Sequence, residues 1–333
     1  MIKSVTVLGA GSWGTALAAA FAWRGLRVQF WGRDAALMRD IKATRRNTRY
    51  LESLELPSTI EITSDLHALD PADMLVFVVP SRGIHDIAKQ AAAVGLGRHV
   101  PIALSCTKGI ELSSGQRMSQ IISDALPGCP LAALSGPTHA EEVSLQQPTA
   151  AVVASKDETI AKAIQDCLRL PWFRCYTSDD ITGVEWAGAM KNPYAIAAGV
   201  AEGLKLGDNA IAALVTRALA EMVRLGTAEG GRVETFYGLS GVGDLVATCY
   251  SKHSRNHRLG LALASGQTLA EATAKSTMIA EGVPNTQSLR QCAEAKGVRT
   301  PLLDAVYAIL YENKAPQLAL KELLGREPRS ETE

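Results

Sequence analysis

The stretch Ser4-Val5-Thr6-Val7-Leu8-Gly9-Ala10-Gly11-Ser12-Trp13-Gly14-Thr15-Ala16-Leu17-Ala18-Ala19-Ala20-Phe21-Ala22 decides the fold. Its β-branched and apolar start reads as a strand. The small apolar residues after Gly14 read as a helix, and Arg27–Trp31 reads as a second strand. A lone G-x-G-x-x-G is common. Set between a strand and a helix in a short β-α-β unit, it points to a dinucleotide site rather than an ordinary glycine-rich turn. Gly9 permits the tight turn, Gly11 lets the backbone approach a pyrophosphate, and Gly14 lets helix and strand pack closely. The unpaired N–H groups and dipole of the helix N-terminus then favour the negative charge.

Outward from this unit, short apolar runs alternate with helical patterns. Candidate strands are Ser4–Leu8, Arg27–Trp31, 74–79, 101–105, 131–134, Thr149–Ala154 and 173–177. Met74-Leu75-Val76-Phe77-Val78-Val79 is apolar on both faces, which predicts a parallel sheet covered on both sides. After about Asp179 the strand runs stop. Ile211, Leu214, Val215, Ala218, Leu219, Met222 and Leu225 form one helical stripe, with Arg217, Glu221 and Arg224 expected outside it. Thr300-Pro301 reads as an N-cap and first helical position. The predicted class is α/β, a Rossmann-type doubly wound sheet domain over 1–185 followed by a mostly α-helical domain over 186–333. No linker-like stretch separates the halves, which predicts a shared interface; only 326–333 is polar enough to fray.

A length of 333 residues suits about two domains. An apolar fraction of 47% supports a core and excludes wholesale disorder. Lys+Arg and Asp+Glu both number 34, so no global charge draws the chain to nucleic acid or an anionic membrane. Aromatics at 5% offer no stacking platform for single strands. Cys106, Cys129, Cys167, Cys175, Cys249 and Cys292 are scattered without a C-x-x-C pair, the pattern of reduced, buried thiols in a cytosolic protein. His253 and His257 lie one helical turn apart, but no third ligand is near, so no metal is expected. Lys3 ahead of an apolar run imitates a signal peptide, and the interruptions at Gly9, Gly11 and Gly14 argue against one. The apolar stretch 195–203 is too short to span a bilayer, so no stable membrane insertion is expected, and with the scattered thiols a cytoplasmic location is expected.

The second strand ends in Gly32-Arg33-Asp34. Arg33 suits the 2′-phosphate of NADP, whereas an acidic residue there accepts from the ribose of NAD; Asp34 leaves NAD open, and a solvated Arg33 is the bland alternative. The basic stretch 42–49 alternates with polar residues and reads as a solvated helix or loop near the adenine end of the cofactor. Lys108 follows a strand, where open α/β sheets bind ligands, and Gly136 and Thr138 follow another. Lys191 is a lone lysine among small apolar residues. In an apolar cleft it must be paired or lose its charge, and either way it is a candidate proton donor or acceptor; a snorkelling surface lysine is the alternative. Arg255 and Asn256 side by side suit a small phosphate, and Asp244 and Thr248 share a helix face from which Asp244 can orient a lysine.

Taken in chain order, these motifs resemble the NAD(P)-dependent glycerol-3-phosphate dehydrogenases of the bacterial type, from Val5 to about Leu310. The resemblance rests on G-A-G-S-W-G-T-A-L at Gly9, W-G-R-D at Trp31, T-K-G at Thr107, S-G-P-T at Ser135, K-N at Lys191, G-D-L at Gly243, S-R-N at Ser254 and E-G-V-P-N-T at Glu281. It implies reversible reduction of dihydroxyacetone phosphate to sn-glycerol 3-phosphate with NADPH or NADH, feeding glycerophospholipid synthesis. Lys191 matches the family's proton acceptor and donor. Lys108, Gly136, Thr138, Asp244, Ser254, Arg255 and Asn256 match substrate contacts. Ser12, Trp13, Arg33, Tyr50, Lys108, Ala140, Arg255, Ala280 or its neighbours, Glu281 and Gly282 match cofactor contacts. Two departures stand out. Pro193 follows Lys191-Asn192 where a β-branched residue is expected, which predicts a break in the helix carrying Lys191. Tyr50-Leu51-Glu52-Ser53 lacks the expected Pro-Gly, which alters the cofactor-side loop. The partner implied is a small phosphorylated three-carbon substrate, and a homodimer is compatible with the sequence. The alternatives are a β-hydroxyacid dehydrogenase of similar plan, a non-catalytic NAD(P)-sensing module whose helical domain binds a protein, and a purely structural role.

Overall fold

A computed structural model describes every residue except Met1, Val100, 275–279, Arg329, Thr332 and Glu333. The strands are β1 (Ser4–Leu8), β2 (Arg27–Trp31), β3 (Arg46–Asn47), β4 (Leu51–Glu55), β5 (Glu61–Thr63), β6 (Met74–Phe77), β7 (Ile102–Ser105), β8 (Leu131–Ser135), β9 (Thr149–Ala154) and β10 (Phe173–Ser178). The helices among them are α1 (Ser12–Trp23), α2 (Ala35–Thr44), α3 (Ile84–Ala93), α4 (Met118–Ala125), α5 (Ala140–Ser144) and α6 (Glu158–Cys167). Eight strands form one sheet in the order β10-β9-β8-β7-β6-β1-β2-β5, and β3 and β4 pair as a separate hairpin. Alternation explains why the central strands are apolar throughout. Met74 and Val76 join the core under α1, α2 and α6, while Leu75 and Phe77 join the one under α3 and α4.

The sheet is not parallel throughout. β9 runs antiparallel to β8, and β10 runs parallel to β9. A parallel return needs a crossover to the far end of the sheet, and between β8 and β9 the chain has only the five-residue α5. The segment therefore stays at the carboxyl end of β8, beside the glycine turn. The basic stretch is largely exposed and begins as the end of a helix, as expected, but it departs from a helix or loop at Arg46 and Asn47. α2 stops at Thr44, and Arg46 and Asn47 enter the hairpin instead of a solvated loop. Asn47 is fully buried and donates to Ala10 O at 3.0 Å and Thr15 Oγ1 at 2.8 Å, clamping the glycine turn from behind.

The remaining helices are α7 (Ile181–Gly203), α8 (Asp208–Ala228), α9 (Val233–Phe236), α10 (Asp244–Tyr250), α11 (Arg255–Ala264), α12 (Leu269–Ala274), α13 (Gly282–Ala295), α14 (Pro301–Tyr311) and α15 (Pro316–Leu324). α7 is the spine. Its start packs on β8 and β9 through Ile181 and Val184, and its middle is enclosed by α8, α10, α13 and α14. Nineteen of its 23 residues are buried, so its apolar surface has no preferred side. α11 crosses it at glycine contacts. A Cβ on Gly199 would stand 2.0 Å from His257 O, and one on Gly260 would stand 2.1 Å from Ile196 O.

Pro193 and Glu221 both depart from expectation. Pro193 does not break α7, which runs unbroken through it. Proline removes the N–H that would bond the carbonyl four residues back. That carbonyl, on Ala189, instead accepts from the side-chain amide of Asn285 at 3.3 Å. Glu221 is not outside the α8 stripe but buried. It accepts from the N–H groups of Leu302 at 2.8 Å and Leu303 at 3.2 Å, and from the Tyr194 hydroxyl at 3.0 Å, so it caps α14 where Thr300 makes no side-chain cap. Five of the six cysteines are buried, and Cys292 is half-buried.

Burial raises the Glu221 carboxyl from 4.5 to about 7, against the pull of the three donors. The folded state thus holds this proton more tightly than the unfolded chain does. Stability should decline as pH rises from 4.5 to about 7, and Glu221→Gln should flatten that slope in urea titrations. Glu221→Ala, which orphans all three donors, should cost about 3 kcal/mol.

Candidate functional site

The carboxyl ends of β1, β2, β6, β7 and β8 face the helical half across a cleft of about 830 Å³, a size in the range of cofactor sites. The strand order reverses beside β1, where a crevice opens naturally. Gly9 has φ +130°, and a Cβ there would meet Val78 O at 2.3 Å, so only glycine serves at this turn. Gly11 is different. Nothing lies within 4 Å of where its Cβ would stand, which leaves a hollow in front of α1. α1 has no side-chain cap and no acidic residue in its first turn, so its leading N–H groups suit an anion. Trp13 Nε1 is a buried donor without a partner among the described residues. These features fit a dinucleotide pyrophosphate.

Gly9, Gly11, Ser12, Trp13, Gly14, Arg33, Tyr50 and Ala140 all line the cleft, as do Lys108, Lys191, Arg255 and Glu281. Arg33 is exposed at the rim. Asp34 accepts from the N–H groups of Ala36 and Leu37 and pairs with Arg49 at 3.0 Å, so it is held as the α2 cap. Ala280 is half-buried and does not line the cleft, and its preceding neighbours lie outside the described residues.

At the floor, Lys191 Nζ donates to Asp244 Oδ1 at 2.6 Å and to Thr248 Oγ1 at 2.7 Å. Lys108 Nζ donates to the other carboxylate oxygen, Asp244 Oδ2, at 2.7 Å and to Gly136 O at 2.9 Å. Asp244 opens α10 directly after a π-helical turn over Leu239–Gly243, and Thr248 sits one turn on, which gives the shared face. The Thr248 hydroxyl donates back to Asp244 O at 2.6 Å, leaving its lone pair for Lys191. Asp244 is 2% exposed and Lys191 6%. Burial lowers the Lys191 ammonium from 10.5 to about 8; Lys108 pushes the same way, and Asp244 opposes both. Burial acts to raise the Asp244 carboxyl, but the two ammoniums outweigh it and hold it below its ordinary value. Gly136 and Asp244 thus touch the lysines from behind without lining the cleft.

Thr138 donates to Gly136 O at 3.1 Å. His139 contacts Ala247 O at 3.3 Å, and burial together with Lys191 holds its imidazole below the usual value and so neutral. Ser254 caps α11 by accepting from His257 N at 3.1 Å. Asn256 donates to Asn192 Oδ1 at 3.0 Å and accepts from Gly282 N at 2.9 Å, so part of its amide ties α7, α11 and α13 together. Burial lowers the Arg255 guanidinium, against the pull of Glu281 and Glu141. Glu281 accepts from Ser81 Oγ at 2.6 Å across the cleft, and burial raises its carboxyl. His257 pairs with Glu202 at 3.1 Å, apart from His253, and no metal-holding group occurs among the described residues.

Two family descriptions match the chain: NAD-dependent glycerol-3-phosphate dehydrogenase N-terminus over residues 4–161 and C-terminus over 180–321. A glycerol-3-phosphate dehydrogenase [NAD(P)+] of Chlorobium limicola is 43% identical over 98% of this chain and 99% of its own length. One of Xanthomonas oryzae is 44% identical over 98% and 96%. The chain belongs to the NAD(P)-dependent glycerol-3-phosphate dehydrogenase family. The crystal structure of the Coxiella burnetii glycerol-3-phosphate dehydrogenase superposes with a TM-score of 0.93 at 38% identity, covering 98% of this chain and 99% of the other. The family likeness thus spans both the sheet half and the helical half, as the ordered motifs do.

The sequence reading missed Asn47, Ser81 and Asn285 as supports of this cleft. Asn47 lay hidden in a basic stretch and Ser81 in the short turn that follows β6. Asn285 stood in a quoted motif without a role, although the proline at 193 implied an orphan carbonyl needing a donor. Gly11→Val should fill the hollow in front of α1. Titration with NADPH followed by fluorescence should show at least a tenfold loss of affinity, with the melting temperature moving by less than about 2 °C.

Proposed function

We propose that this chain catalyses reversible reduction of dihydroxyacetone phosphate to sn-glycerol 3-phosphate, with Lys191 Nζ as the group that gives and takes the proton. The observation that carries the proposal is a buried ammonium, near neutrality in its titration, lining the cleft with its other partners fixed. Bound on the glycine turn, the nicotinamide cofactor supplies the hydride for the carbonyl carbon. As the ketone oxygen gains negative charge, Lys191 stabilises it and transfers a proton; in the reverse direction the neutral amine accepts it. Two ammoniums and one carboxylate leave the floor with a surplus positive charge, which suits an anionic substrate. Arg255, with Asn256 beside it, binds the phosphate and orients the ketone from a distance. Arg33 and Arg49 at the rim favour the 2′-phosphate of NADP, and with Asp34 held as a cap NADH enters without a dedicated ribose acceptor. Residues 1–185 would hold the cofactor and 186–333 the substrate, in a cytoplasmic enzyme supplying glycerophospholipid synthesis.

Absorbance of the reduced nicotinamide with dihydroxyacetone phosphate tests the reaction, with a non-phosphorylated hydroxyacid as the control for the related dehydrogenases. Lys191→Ala should lose at least a hundredfold in kcat with NADPH affinity retained; full turnover would refute the role. Because the ammonium titrates near 8, ketone reduction should fall as pH rises through about 8 and alcohol oxidation should rise through it. Arg255→Ala should raise KM for the phosphorylated substrate by tenfold or more while changing kcat less, and an unaltered KM would remove the phosphate clamp.

A further inference from the structure

We infer that Asn285 is a positioning residue that replaces the hydrogen bond Pro193 removes and sets the two lysines of the floor in register. The inference rests on the role proposed above for Lys191. Asn285 lies on α13 and is completely buried. Its amide has two N–H groups, and both point to main-chain acceptors on different elements: Ala189 O at 3.3 Å and Lys108 O at 3.2 Å. Ala189 O is the carbonyl that would bond to the N–H of residue 193 in a regular helix, and it lies two residues before Lys191. Lys108 O belongs to the residue whose Nζ shares Asp244 with Lys191. One side chain therefore holds the backbone under both ammoniums. Without it, the buried carbonyl of Ala189 and the partly buried carbonyl of Lys108 lose this donor, and α7 is left with an unpaired group just before Lys191. The Asn285 Oδ1 has no hydrogen-bond partner among the described residues, so the contribution of Asn285 to this contact lies in its two donors.

A double-mutant cycle on the full chain tests the compensation, because Pro193→Val restores an N–H to Ala189 O. In the Pro193 background, Asn285→Ala should lower kcat about tenfold, change KM less than threefold, and displace the pH midpoint assigned to Lys191. In the Pro193→Val background, the same substitution should cost threefold or less in kcat, and its loss in melting temperature should be less than half as large. Equal penalties in the two backgrounds would overturn the inference, as would an unchanged kcat in Asn285→Ala. If Asn285→Ala does not fold, the double variant should fold; failure of that rescue also overturns it. The melting-temperature coupling does not depend on substrate. It therefore stands or falls separately from the proposed reaction, which fails only if the unaltered chain does not turn over dihydroxyacetone phosphate.

Discussion

One carboxylate shared by two ammoniums is the constraint on which the site depends. Asp244 offers one oxygen to Lys191 and the other to Lys108, and is itself almost wholly buried. A buried carboxylate with two cations has both oxygens satisfied, and each cation keeps further donors free for Thr248, Gly136 or the cleft. Neutralising it would leave two like charges facing each other in a low-dielectric pocket, the kind of change that costs about 3–5 kcal/mol in buried ion pairs. The same contact joins the halves of the molecule, since Lys108 follows β7 while Lys191 and Asp244 stand on α7 and α10.

The precision of that contact comes from α7. The helix begins against the sheet, where Glu185 accepts from Arg117 at 2.5 Å and from the Ser119 N–H at 2.8 Å, and it ends deep in the helical half. Side chains carried on a fully packed helix have few alternative positions, which suits groups that must meet a reacting atom. Paired glycines bring α11 backbone to backbone with α7, and this places Arg255 and Asn256 at a set height beside Lys191. Asn192, Asn256 and the Gly282 N–H extend the same lattice to α13.

Much of this was legible in the residues. The alternation of strand and helix, the glycine turn, the helical second half and Lys191 in its apolar setting all follow from local pattern, because each is a statement about neighbours in sequence. The Asp244–Thr248 face was legible for the same reason: a helical turn fixes it. Other features were not. Glu221 has the spacing of an exposed charge, yet it is buried because α14 brings two N–H groups to it from eighty residues away. Asn47 sits among arginines that suggest solvent, yet its amide is drawn under the glycine turn. β5 is three residues long, too short to show a period, and exists because β2 offers it an edge.

Pro193 separates the two kinds of information most clearly. Its ring and missing N–H are covalent facts, and by themselves they argue for a broken helix. Whether the helix breaks depends on a donor reaching Ala189 O, and that donor arrives from α13. The sequence alone determined the longer strands of the sheet, the helical second half, where a nucleotide would bind, and which lysine is chemically conspicuous, because propensity, periodicity and glycine geometry act over a few residues. Only the tertiary structure decided the direction of β9, the burial of Glu221, the partners of Lys191 and the continuity of α7. The direction of β9 follows from the short connection through α5; each of the others turns on a polar group being met, or left unmet, by one from a distant part of the chain.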